Sequence, residues 1–241
     1  MRRDRVKAMV LAAGLGTRVQ SISGGLPKVM LEIDGKPVLV HIIELLRKYG
    51  ISDIAINLHY RPEAIRNCLK DGKEFRANIT YSLEKELLGS AGAVKKLGNY
   101  FDRTFLVIYG DLLTRINLEK LVAFHRRNKG MGTIALYRVS NPCSCGVVGI
   151  NAEKRITSFV EKPEPDEVFS NLANAGIYVF EPDLIRHIPE GFCDFGKDVF
   201  PALLQKGLEL FGWETDDYLI DIGLPENYEK ARADWKELSR K

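Results

Sequence analysis

Through its first half the chain alternates short apolar runs with stretches whose apolar residues recur every three or four positions. KAMVLA, from Lys7 to Ala12, reads as a buried strand that runs straight into glycine. Val38, Ile42, Leu45, Leu46 and Tyr49 lie on one helical face, and Gly50 follows as a stop. DIAINLHY is a second strand. PEAIRNCLK is a helix that starts on Pro62, with Gly72 after it. NITYSLE, GSAGAVKKLGNYF and TFLVIYGD continue as strand, helix and strand. Such alternation predicts an α/β fold with a mostly parallel sheet covered by helices on both faces. Ligands of such sheets sit beyond the carboxyl ends of the strands. The Gly14 loop and Asp111 both fall there.

The second half is less regular. LEKLVAFHRRNKG reads as a helix. GTIALYRV, GVVGINAEKRITSFVEKP and NAGIYVFE read as strands and a hairpin. FGKDVFPALLQKG is a helix, LELFGWETDDYLIDIG a closing hairpin, and PENYEKARADWKELSRK a terminal helix. EKPEPDEVFS, rich in proline and charge, reads as a loop. A length of 241 residues suits one large domain with two lobes, expected at residues 1–115 and 116–241.

Charge narrows the function classes. With 35 basic and 32 acidic residues the formal net charge is +3, too balanced for a nucleic-acid coat or a membrane-surface protein. The basic-then-apolar start resembles a signal peptide, but its apolar run is short and ends in a glycine loop. No apolar run approaches the ~20 residues of a membrane span. Cys68, Cys143, Cys145 and Cys193 show no zinc spacing, and the thiols read as reduced, in a cytoplasmic protein. His41 sits on an apolar helix face as a packing residue. His59, His125 and His187 read as surface or loop residues.

The richest chemistry lies in LAAGLGTRVQSISGGLPKVM, Leu11 to Met30. Small residues let the backbone approach an anion closely, and successive amides in a tight turn make an anion nest. Gly14-Leu15-Gly16-Thr17 has that character. It lacks the spacing of a P-loop and the third glycine of a dinucleotide fingerprint. The glycines alone equally suit a plain strand-to-helix turn. Arg18 and Lys28 add two cations that suit a polyphosphate.

LAAGLGTR followed by LPKVML resembles the signature of the sugar nucleotidyltransferases, and the resemblance continues through five more stretches in order. LGSAGAV, with Gly89 and Ser90, resembles the segment that touches base and ribose. YGDLLT resembles the strand end whose aspartate, here Asp111, binds magnesium. CGVVGIN, with Gly146, resembles a sugar-side segment. FVEKPE and NAGIYVF resemble the motifs that hold the sugar phosphate. YLIDIGLPENY resembles the segment that supplies the second metal ligand, here Asp221. Cys145, Leu219 and Leu224 depart from the residues common at those places, on the sugar side.

The resemblance implies a Rossmann-like, mixed and mostly parallel sheet flanked by helices, GT-A-like, with no β-helix after it, since no hexapeptide repeat is present. It also implies a reaction: a nucleotidyl group passes from an NTP to a sugar 1-phosphate, with release of pyrophosphate. Arg18, Lys28, Asp111 and Asp221 would be catalytic, the two aspartates holding Mg²⁺. Leu11, Ala12, Ala13, Gly14, Gly16, Thr17, Glu84, Gly89 and Ser90 would bind the nucleotide. Gly146, Glu161, Lys162 and Asn174 would bind the sugar phosphate.

Taken alone, either aspartate reads as a cap or turn residue. Two from separate strand ends, with phosphate oxygens and water, suit octahedral Mg²⁺. Lys162 alone is an ordinary surface lysine. A carboxylate at Glu84 matches guanine N1–H and N2–H₂ together, and the run resembles guanylyltransferases for mannose or heptose 1-phosphate. A solvated strand-end charge at Glu84 or Glu86 is the other reading. Uridylyl or thymidylyl transfer to glucose, N-acetylglucosamine or N-acetylmuramate 1-phosphate, cytidylyl transfer to a small alcohol phosphate, and a non-catalytic nucleotide-sugar sensor are the alternatives. Expected partners are the two small substrates only, with neither nucleic acid nor membrane, in a monomer or homodimer.

Overall fold

The structure, a computed structural model, describes residues 6–238. In chain order its elements are β1 (Lys7–Leu11), α1 (Gln20–Ser23), β2 (Glu32–Ile33), β3 (Lys36–Pro37), α2 (Val38–Lys48), β4 (Asp53–Leu58), α3 (Pro62–Leu69) and β5 (Asn78–Leu83). Then come α4 (Gly89–Lys96), β6 (Phe105–Tyr109), β7 (Leu112–Thr114), α5 (Leu118–Asn128), β8 (Gly132–Arg138), β9 (Gly146–Ile150), β10 (Ile156–Glu161) and β11 (Leu172–Phe180). A π-helical turn (Phe195–Val199), α6 (Phe200–Gln205), β12 (Leu210–Glu214), β13 (Leu219–Asp221) and α7 (Pro225–Leu238) complete the chain.

These elements form two compact units. The first holds residues 1–87, 108–116 and 217–241; the second holds 88–107 and 117–216. The contiguous lobes expected at 1–115 and 116–241 cut across these units. The C-terminal segment returns by pairing β13 with β7, and Arg115 ties it further: its guanidinium donates to Leu238 O at 3.0 Å and its backbone N–H to Tyr218 O at 3.0 Å.

In the first unit β1 and β5 flank β4, both parallel to it, and the end of β6 lies beside β1. Ala8, Met9, Val10, Ile54, Ala55 and Ile56 are fully buried, as expected of strands covered on both faces. The helix expected before Gly50 is α2, which buries Val38, Leu39, Ile42, Ile43 and Leu46. His41 packs as expected, donating from Nε2 to Ile33 O at 2.8 Å and meeting Trp235 edge to face.

In the second unit β8 lies against β11 antiparallel, β12 flanks β8 parallel, and the β9–β10 hairpin joins β11. The core is aromatic: Tyr178, Phe180, Phe195 and Phe200 are fully buried, with rings in mutual contact. The chain is thus α/β with a mixed sheet and flanking helices, and among the described residues no helix is long and apolar enough to cross a membrane.

Two expectations need correction. LELFGWETDDYLIDIG is not a hairpin: β12 pairs with β8, whereas β13 pairs antiparallel with β7. Its alternating pattern suits either partner, and pairing is decided by distant segments. His125 is not a surface residue. It is 1% exposed, with Nδ1 bonded to Thr133 Oγ1 at 2.9 Å and Nε2 to Glu181 Oε1 at 3.0 Å. The polar partners that make its burial tolerable come from β8 and the end of β11.

Candidate active site

In the first unit the loop after β1 folds over one lysine. A Cβ on Gly14 would stand 3.3 Å from Lys28 Cε, and one on Gly16 would stand 3.1 Å from Lys28 Cβ. Gly16 also turns through a φ of +63°, which side chains disfavour. Pro27 precedes a 3₁₀ turn that starts at Lys28 and buries Val29 and Met30, so the lysine leaves a fixed backbone. Leu11 O accepts from Gly110 N at 2.8 Å, which holds the loop's origin beside the turn that carries Asp111. Ala12 and Ala13 are buried; Thr17 and Arg18 are exposed, on a 3₁₀ turn after the loop.

Lys28 Nζ contacts Asp111 Oδ2 as an ion pair, with the aspartate side chain only 7% exposed. Asp111 sits between β6 and β7. The β7–β13 pairing sets Asp221 opposite Leu112, and Ile222 N donates to Asp111 O at 3.0 Å. Both carboxylates predicted for the metal are therefore brought together. Local desolvation and the Asp111 charge push the Asp221 carboxyl up to about 6, against the pull of Lys28, although the residue as a whole keeps exposed surface. Asp221 Oδ1 accepts from Gly223 N at 2.6 Å. Burial works against the Lys28 charge, but the two carboxylates outweigh it and raise its pKa.

Two carboxylates that repel each other, one already neutralised by an ammonium, fit a hard divalent cation. Among the described residues no group of three or more His, Cys, Asp or Glu could cage a metal. A cation held here would take its remaining ligands from phosphate oxygens and water.

Glu84 is 3% exposed, and its Oε1 accepts from Asn57 Nδ2 at 2.8 Å. Asn57 Oδ1 in turn accepts from Ala12 N at 2.7 Å. A bidentate contact with guanine needs both carboxylate oxygens, and one is already engaged. The sequence reading missed Asn57. Its signal was one amide inside the apolar run DIAINL, where an unpartnered polar group is costly.

In the second unit Gly89 and Ser90 open α4. Ser90 N and Oγ both donate to Asp194 Oδ1, at 2.9 and 3.0 Å, and Phe195 N donates to Ser90 Oγ at 2.9 Å. Ser90 thus ties the start of α4 to the π-helical turn. Glu161 ends β10 beside Gly146, and burial raises its carboxyl pKa despite Lys162 and Lys197 nearby. Lys162 is exposed and has a φ of +53° immediately before Pro163. That conformation is costly before proline, and the bond from Lys162 N to Cys145 O at 2.9 Å helps to hold it. Asn174 closes a bulge in β11: Nδ2 donates to Tyr178 Oη and Oδ1 accepts from Gly176 N, both at 2.9 Å. Gly146, Glu161 and Lys162 come together, whereas the Asn174 amide is engaged by its own strand.

The profile of the family described as Nucleotidyl transferase matches residues 7–237. The chain is 39% identical over 241 aligned positions to a UTP–glucose-1-phosphate uridylyltransferase of Synechocystis, covering 94% of this chain and 62% of the relative. It is 35% identical to a mannose-1-phosphate guanyltransferase of Schizosaccharomyces pombe, covering 92% and 62%. The chain thus spans 62% of the length of these curated relatives. The crystal structure of HddC from Yersinia pseudotuberculosis complexed with GMP-PN superposes with a TM-score of 0.81 at 29% identity, covering 95% of this chain and 99% of that one. With the glycine loop, the Lys28–Asp111 pair and Asp221 arranged as described, the chain belongs to the nucleotidyl transferase family.

Proposed function

We propose that the protein transfers a nucleotidyl group from an NTP to a sugar 1-phosphate, with GTP and mannose or heptose 1-phosphate as the favoured pair. The observation that carries this reading is the Lys28–Asp111 ion pair under the glycine loop, with Asp221 alongside.

In the reaction an oxygen of the sugar phosphate attacks the α-phosphorus in line. The bond from the α-phosphorus to the bridging oxygen breaks, and pyrophosphate leaves with that electron pair. The nucleophile is already an anion, so no base is required. The protein has to hold two polyanions and stabilise the charge that develops. Arg18 and the amides from Gly14 to Thr17 hold the departing phosphates. Lys28 reaches the α-phosphate. Lys162 grips the sugar phosphate, and Glu161 reads hydroxyls. Asp111 and Asp221 would hold Mg²⁺, which would supply Lewis-acid neutralisation of phosphate charge.

The guanylyl preference draws support from the Schizosaccharomyces pombe relative's name and from the GMP-PN complex of HddC. A second reading, uridylyl transfer to glucose 1-phosphate, is favoured by the more identical Synechocystis relative. The test is pyrophosphate release with Mg²⁺ for each NTP against each sugar 1-phosphate, beside Asp111→Asn. Release in a GTP well that Asp111→Asn loses supports the reading. Release confined to UTP supports the second.

A further inference from the structure

We propose that Gly196, with Gly146, is a specificity-determining position: the two glycines seat the Glu161 carboxylate, and residue 196 sets where it stands to meet a sugar hydroxyl. The proposal rests on the sugar 1-phosphate reading above.

The two glycines belong to different elements, the start of β9 and the π-helical turn before α6. A Cβ added to either would fall 2.6 Å from Glu161 Oε2, inside any real contact. Neither is a glycine for conformational reasons. Gly176 and Gly191 have φ of +69° and +89°, whereas Gly146 and Gly196 keep φ in the ordinary range. What excludes a side chain is occupied space. At Gly146 the Phe159 ring also blocks it, at 2.7 Å; at Gly196 the carboxylate is the main obstacle, with Phe159 no nearer than 3.4 Å.

The backbone at 196 has little freedom to yield. Phe195 is fully buried, stacked on Phe180 and Phe200, and its N–H is held by Ser90. Asp194 N donates to Asp198 Oδ2 at 2.7 Å, and Asp198 N to Asp194 O at 3.0 Å. Glu161 is a flexible side chain, and among the described residues no protein group hydrogen-bonds its carboxylate. Its oxygens therefore have acceptor capacity for a ligand hydroxyl. An alanine at 196 displaces the carboxylate and leaves the fold alone. An aspartate at 161, one methylene shorter, makes room for the new methyl group.

Wild type, Gly196→Ala, Glu161→Asp and the double variant are compared by pyrophosphate release, varying sugar 1-phosphate and NTP separately. Gly196→Ala is expected to raise the KM for the sugar phosphate about 10- to 100-fold, the loss of a hydrogen bond to a charged group. The KM for NTP and the melting temperature should stay near wild type. The double variant should bind sugar phosphate better than Gly196→Ala alone. An unchanged sugar KM, a parallel rise in both KM values, or no recovery in the double variant overturns the proposal. Carbon-13 NMR titration of Glu161 gives a readout independent of turnover: Gly196→Ala should bring its raised pKa back toward the ordinary glutamate range. If wild type transfers to no sugar phosphate, the functional reading has failed, and the titration still decides the seat: a moved pKa upholds it and an unmoved one overturns it.

Discussion

Lys28 is where the charges of the first unit converge. Its ammonium contacts Asp111, feels Asp221, and lies under the loop that ends in Arg18. Removing it leaves the two carboxylates with only the weaker pull of Arg18 on Asp221. Lys28→Met should therefore push the Asp221 pKa above its present value of about 6, since an opposite charge lowers a carboxyl pKa and its loss raises it. Carbon-13 titration of the metal-free protein reads this directly, and an unchanged value would mean that Lys28 does not act on Asp221. Asp111→Asn keeps the shape of the side chain and removes its charge. It should cost about 10²- to 10³-fold in kcat, the scale of losing a preorganised electrostatic group, with circular dichroism unchanged. Near-normal turnover would remove Asp111 from the chemistry. These residues were legible through the order of the motifs they sit in, since either aspartate taken alone reads as a cap or turn residue. The left-handed backbone of Lys162 was not legible, because it depends on a carbonyl seventeen positions away, at Cys145.

Elements place those residues, and the end of β1 shows how. Glu84 at the end of β5 orients the Asn57 amide on β4, and that amide fixes Ala12 N, where the glycine loop begins. Such a chain acts on the loop as a whole. Asn57→Ala should raise the KM for every NTP by a similar factor, about 10-fold, from one lost buried hydrogen bond and its orphaned partners. A change in the GTP/UTP ratio instead would show that the chain ends on the base. A second buried chain, Thr133–His125–Glu181, ties α5 to β8 and β11. Burial holds the His125 pKa below its ordinary 6.5, against the Glu181 carboxylate, which raises it. As pH falls below about 6.5, the unfolded chain takes up a proton at this histidine that the folded chain still refuses. Stability should therefore decline through that window, and His125→Gln should flatten the slope in chemical denaturation. An unchanged slope would contradict the assignment. The longer strands and helices of the first half (β1, α2, β4, α3, β5, α4 and β6) were readable from periodicity with glycine and proline as stops. The Asp34-Gly35 turn that joins β2 to β3, with φ of 53° and 72°, carries a hairpin dipeptide, but its strands of two residues each are too short for a periodic pattern. The separation of β12 from β13 was not readable, because alternation names a face and not a partner.

At the scale of the whole molecule, the chain interleaves its two units in sequence. Residues 88–107 leave the first, and residues 217–241 return to it. That interleaving puts Asp221 against Asp111 across more than a hundred positions, while Glu161, Gly146 and Gly196 assemble in the second unit. Motif order carried the family assignment. The substrate pair rests on side chains whose geometry only the fold supplies, such as the buried Glu84 and the seated Glu161. The most direct measurement is Mg²⁺-dependent pyrophosphate release, crossing GTP, UTP, dTTP, CTP and ATP against mannose, heptose and glucose 1-phosphates. The account predicts release in a sugar-phosphate well with GTP, lost in Asp111→Asn and on chelation of the metal. No release from any pair, with nucleotide still bound, would contradict it and leave a binding protein in place of an enzyme.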